Sequence, residues 1–189
     1  MKKPKVSYNA PVTLSFVLIC FVVTFIGSLT DNSITDLLFV TYKSSYTDPM
    51  TYIRLFTHIL GHKDWTHFLS NAVYLLLLGP MLEEKYGQRT LVHAFIFTAL
   101  AAGVANFILF PNVPLNGANG VVFAFILLAS FTGFRAGEIP LSFIVVVLFF
   151  VGDQLSGGTL IQMQLPNTIH IIGGTVGAIF AYNLNKKKM

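Results

Sequence analysis

Six apolar runs, at about 12–29, 65–82, 90–110, 117–134, 139–155 and 168–184, constrain this chain more than any other feature. A helix needs roughly 20 apolar residues to cross the hydrocarbon core of a bilayer. A chain of 189 residues accommodates six such crossings with short connections and no second domain. Composition agrees, since 54% of the residues are hydrophobic and 11% charged, far too oily for a soluble domain of this size. The expectation is an all-α membrane protein, a bundle of six transmembrane helices forming a single domain over 1–189.

Pro11 and Pro140 sit where helices would start, and Pro80 falls in the last turn of the second run beside Gly79. The fifth run is the shortest: 14 uncharged residues separate Glu138 from Asp153, a length that also suits a re-entrant segment. Charge decides between the two, because cytoplasmic connections collect Lys and Arg. With six spans, nine basic residues (Lys2, Lys3, Lys5, Lys85, Arg89, Arg135, Lys186, Lys187 and Lys188) face inward and three (Lys43, Arg54 and Lys63) outward. Without the fifth crossing the division becomes six and six. Six spans with both termini cytoplasmic is therefore the expected topology, in a bacterial plasma membrane.

The net charge of +4 is then that of membrane-edge anchors facing anionic headgroups, and no nucleic-acid partner is expected. The lone Cys20 lies inside an apolar run and permits no disulfide framework. The first run follows three lysines like a signal peptide, but no small-residue cleavage site follows it, so it reads as a retained helix. The connection 30–64 is long enough to be a structured piece lying on the membrane.

Polar side chains inside a span are costly and call for a reason. His67, Asn71, Asn119 and His170 all fall near the beginnings of the second, fourth and sixth runs, which the topology places at one depth near the outer surface. His67 and Asn71 are four apart and share a helix face. His170, Gly174, Gly177 and Ala181 form a stripe of helical spacing, Gly117, Gly120 and Ala124 form another, and small residues let membrane helices approach closely. His170 is thus expected against residue 119. The Gly173-x-x-x-Gly177 spacing reads as packing, as does His93 near the cytoplasmic edge.

These residues, with Arg54-Leu55-Phe56-Thr57-His58, His62, Gly79-Pro80, Glu83-Glu84-Lys85-Tyr86-Gly87, Asn116-Gly117-Ala118-Asn119-Gly120 and Gly173-Gly174, resemble the rhomboid family of intramembrane serine proteases across nearly the whole chain. The resemblance implies a Ser–His dyad that cleaves single-span transmembrane substrates without a metal or other cofactor. It places the nucleophile of a G-x-S-G motif at position 119 and Gly117 in the same motif. It also implies that His170 is the general base, that His67 and Asn71 of an H-x-x-x-N motif stabilise the oxyanion with backbone N–H groups, and that the connection 152–167 is a movable cap.

The motif here reads Gly117-Ala118-Asn119-Gly120, so an amide stands where the hydroxyl belongs. An amide nitrogen is not nucleophilic, and no acyl-enzyme is expected. No other serine shares depth and face with His170: Ser130 lies about 16 Å deeper, Ser142 begins the fifth run, Ser70 points away from Asn71, and Ser156 is in the cap. The chain then reads either as a Ser-to-Asn variant of an active protease or as a natural pseudoprotease that binds membrane clients without cutting them.

Other chemistries fit less well. His58, His62 and His67 lack an H-E-x-x-H spacing and a carboxylate base for zinc hydrolysis. Only Asp153 lies near a span for an aspartyl mechanism. Glu83-Glu84 with Arg89 is one residue off the pattern of glutamate-type prenyl-protein proteases, and the cluster reads as a cytoplasmic loop. A transporter would carry polar residues across the bilayer, but the inner halves of the fourth and sixth runs are apolar.

Overall fold

Long apolar runs form helices in the computed structural model, which describes residues 7–131, 141, 144, 145, 147–149, 152 and 167–186. Among these residues there is no strand, only an isolated antiparallel bridge between Thr41 and Leu115. Helix α1 (Pro11–Leu29) starts on a proline, whose fixed φ and missing N–H cost nothing in a first turn. The connection that follows is structured, as expected, holding α2 (Ser33–Phe39) and α3 (Pro49–Thr57). Helices α4 (Trp65–Tyr86), α5 (Gln88–Leu109), α6 (Asn119–Phe131) and α7 (Asn167–Lys186) complete the named elements. Described residues of the fifth run are helical. The rest of that run, and the cap between Gly152 and Asn167, lie outside the described residues.

By length and hydropathy, α1 and α5 are the two described helices able to cross a membrane on their own account. Their outer faces, with those of α4 and α7, carry exposed apolar side chains such as Leu18, Phe25, Val73, Leu77, Ile108 and Phe180. Helix α6 is different. Residues 119–125 are all buried, as are Leu127 and Leu128, so it is the central helix and is apolar on every side. Phe95 of α5 stacks on Phe16 of α1 at 4.4 Å and on Phe125 of α6 at 5.5 Å, which joins three helices through one row of rings.

Two sequence readings are corrected here. Pro80 is not in a last turn: α4 runs six residues past it to Tyr86. Nor is Glu83 part of a solvated loop. It is 5% exposed, and its Oε1 accepts the Val12 N–H while Oε2 accepts the N–H and hydroxyl of Thr13, at 3.0, 3.0 and 3.1 Å. A carboxylate at a helix N-terminus satisfies orphan donors and complements the dipole. Thr13 also packs directly on Gly79. The tertiary contact with α1 therefore carries α4 through a residue that would otherwise interrupt it.

Glu83→Ala strands two N–H groups at the start of α1 and is expected to cost about 2–3 kcal/mol. Glu83→Gln, which keeps one acceptor, should cost less. Thermal unfolding of both variants in detergent micelles checks the order.

Candidate active site

The beginnings of α4, α6 and α7 meet at one end of the bundle. Asp64 caps α4 by accepting the His67 N–H at 2.8 Å, which fixes the first turn from which His67 projects. Gly117 precedes α6 with φ +107°, a conformation side chains rarely adopt, and a Cβ there would come within 2.5 Å of the His67 ring. The glycine thus serves both the turn and the imidazole. His67 Nε2–H donates to Asn119 Oδ1 at 3.3 Å. Asn71 Nδ2 donates to the His67 carbonyl at 3.0 Å, leaving its second N–H uncommitted to that carbonyl. Asn71, Asn119 and His170 are each at most 4% exposed.

His170 reaches the same level through its backbone. A Cβ on Gly120 would lie 3.6 Å from the His170 carbonyl oxygen, so α7 crosses α6 one residue from Asn119. No hydrogen bond joins the His170 and Asn119 side chains among the described residues; Asn119 faces His67 instead. The small-residue stripes divide differently from the sequence reading. Of the α7 glycines at 173, 174 and 177, Gly174 meets Gly120 and Ala124 of α6, whereas Gly173 and Gly177 face Ala102, Thr98 and Ala94 of α5. Gly117 lies before the helix rather than on it.

Two further histidines brace the site. His58 Nδ1–H donates to the Arg54 carbonyl at 3.2 Å, while the His58 carbonyl accepts the Gly117 N–H at 2.9 Å. His62 Nδ1–H donates to the Leu60 carbonyl at 3.2 Å, so its Nε2 carries a lone pair and accepts the Ala118 N–H at 3.4 Å. Both nitrogens of His62 are engaged in the protein's own bonding. Burial pushes His58 down to about 4, and burial with repulsion from His67 pushes His62 down to about 3. The motif containing them was visible in the sequence, but this supporting role was not. Arg54 is fixed in turn by its Nε–H donating to the Leu37 carbonyl at 2.8 Å and by lying over the Tyr42 ring.

Other candidates are placed away from reaction. The Ser130 hydroxyl donates to the Ile126 carbonyl of its own helix, and the exposed Ser70 donates to the His67 carbonyl. Ser142 and Ser156 lie outside the described residues. His93 is exposed and bonds the Arg89 carbonyl one turn earlier.

The rhomboid domain model matches residues 49–187, most of the chain and every element of this site. The chain belongs to the rhomboid family. Rhomboid protease GlpG of Yersinia pestis is 26% identical over 179 residues, covering 93% of this chain and 63% of that protein, and GlpG of Yersinia pseudotuberculosis matches to the same extent. Rhomboid-like protein 11, chloroplastic, of Arabidopsis thaliana is 23% identical over 139 residues, covering 66% of this chain and 50% of its own. The chain therefore spans 63% of the length of the GlpG relatives. Membership makes this rhomboid an integral membrane protein.

Because burial keeps His58 and His62 neutral in this rhomboid, their linkage has a definite sign. Below the ordinary value of 6.5 the unfolded chain takes up protons that the folded residues refuse until about 4 and 3. Stability is thus full above that value and is lost as pH falls, by up to roughly 1.4 kcal/mol per pH unit for each group. Unfolding followed from pH 8 to 4.5 should show this loss, with a shallower slope in His62→Gln.

Proposed function

We propose that this chain is a rhomboid-type intramembrane serine protease scaffold, of a kind that cleaves transmembrane substrates by a Ser–His dyad, whose nucleophile position is held by Asn119, so that as written it is catalytically inactive. The carrying observation is the convergence of three helix starts, with His67 Nε2 3.3 Å from residue 119 and the His170 backbone against Gly120. In this reading six spans form a single domain over 1–189, both termini are cytoplasmic, and the site opens toward the outer surface of a bacterial plasma membrane. Partners are single-span transmembrane proteins and the surrounding lipid, with no nucleic acid, metal or other cofactor.

The roles follow from the chemistry. With serine at 119, the His170 imidazole takes the hydroxyl proton as the oxygen attacks the scissile carbonyl, and later returns a proton to the leaving amine. Negative charge develops on the carbonyl oxygen. His67 Nε2–H donates to it, together with the second N–H of Asn71 and backbone N–H groups at the start of α6, whose dipole favours an anion there. Gly117 gives the room this requires. Asn119 has no comparable proton to give up, and its nitrogen lone pair is delocalised into the amide.

The pseudoprotease alternative shares this fold, and one observation favours it: the Asn119 amide oxygen is paired with His67 rather than stranded. Asn119→Ser discriminates. The chain as written should neither label with a fluorophosphonate nor cleave a single-span model substrate. The serine variant should do both, with cleavage at least about a thousandfold above the parent, and should lose it again on His170→Ala. An inert Asn119→Ser that still binds the substrate would leave a client-binding module in place of the protease.

A further inference from the structure

Residues 110–118 carry the chain from the end of α5 across the polar end of the bundle and deliver Asn119 to His67. The segment has no helix of its own, so its position depends on bonds to its neighbours. Lys43 N–H donates to the Pro111 carbonyl at 3.1 Å, Thr41 and Leu115 exchange both backbone bonds at 2.9 Å, and Gly117 N–H reaches His58. One side chain stands behind these ties. Asn106, in the last turn of α5, is completely buried, and its Nδ2 donates to the Val113 carbonyl at 3.0 Å and to the Thr41 carbonyl at 3.3 Å.

The two carbonyl partners dictate the amide orientation, because the flipped form would set Oδ1 against two acceptors. Oδ1 is then buried with no partner among the described residues. An unpaired buried acceptor is destabilising. For packing alone, leucine of similar size would serve better at this position in a helix bundle. What the amide adds is its pair of donors, which join the outer connection at Thr41 to the 110–118 segment.

We propose that Asn106 is a positioning residue for the site at 119: by clamping Thr41 and Val113 it sets where Gly117 and residue 119 stand relative to His67. This rests on the protease reading above. Leu115, in the same segment, packs with Ala102 and with Ile169, the neighbour of His170. Displacing the segment thus shifts residue 119 relative to both imidazoles. Small misplacements of reacting groups are costly in rate even when binding survives.

The test has two arms. In the unaltered chain, Asn106→Leu should raise hydrogen exchange at the Leu115, Gly117 and Ala118 amides about tenfold, with the core of α6 unchanged. In the Asn119→Ser background, Asn106→Leu should lower kcat per folded molecule by about tenfold or more, leave KM within about twofold, and leave the melting temperature unchanged or higher. Asn106→Ser, whose hydroxyl is too short for either carbonyl, should raise exchange and lower kcat per folded molecule in the same way, at a lower melting temperature, and serves if the leucine variant does not fold.

Unchanged exchange in the segment, or a kcat within about twofold of the parent, overturns the inference. So does a fall in activity that merely tracks the folded fraction. Should Asn119→Ser itself be inert, it is the protease reading that falls. The exchange arm then decides the clamp alone, with a rise confined to 111–118 supporting it and a uniform or absent rise rejecting it.

Discussion

The polar end of this molecule depends on the backbone approach of α6 and α7 at Gly120 and Gly174. A Cβ on Gly174 would lie 2.6 Å from the Gly120 carbonyl oxygen and 3.0 Å from the Ala124 nitrogen, so any side chain there forces the helices apart. Lipid offers no hydrophobic gain for pairing one apolar helix with another, and close van der Waals contact between small residues supplies the attraction instead. On its adjacent face α7 presents Gly173 and Gly177 to Ala102, Thr98 and Ala94 of α5. It is therefore seated between two helices by two sets of glycines. That seat brings His170 to the level of Asn119.

The two histidines beside the turn into α6 are buried in neutral, paired forms. The tautomer of His62 follows from its neighbours: a carbonyl on one side requires Nδ1–H, and an N–H on the other requires a lone pair on Nε2. His58 combines an imidazole bond to Arg54 with a backbone bond to Gly117. Neither residue needs to act on a substrate to matter, because each holds one of the two residues preceding Asn119. The connection between α1 and α4, its two short helices and the buried Arg54 form a plate against which the turn into α6 is set.

The amide at 119 fits this frame without disrupting it. Asn119 is buried, yet its oxygen has a donor in His67, so the surrounding architecture accommodates an amide at this position.

Much of this was legible in the sequence. Among the described residues, apolar runs specified helices within a few residues, because the helical state in lipid is dictated by local composition, and costly polar residues at the starts of three runs marked one end of the bundle. The amide at 119 was equally plain, since the identity of a side chain is read directly from the sequence. Other features were settled only by tertiary structure. Glu83 read as a loop carboxylate until α1 brought two orphan N–H groups to it. Pro80 read as a helix end until the same contact carried α4 past it. Asn106 is one polar residue in an apolar run, and its two carbonyl partners come from segments that only the fold brings to it. The faces of Gly173, Gly174 and Gly177, the tautomer of His62 and the pairing of Asn119 with His67 all depend on residues distant in sequence. Local pattern determines what each segment becomes, while a buried polar atom takes its partner from whichever segment the packing brings to it.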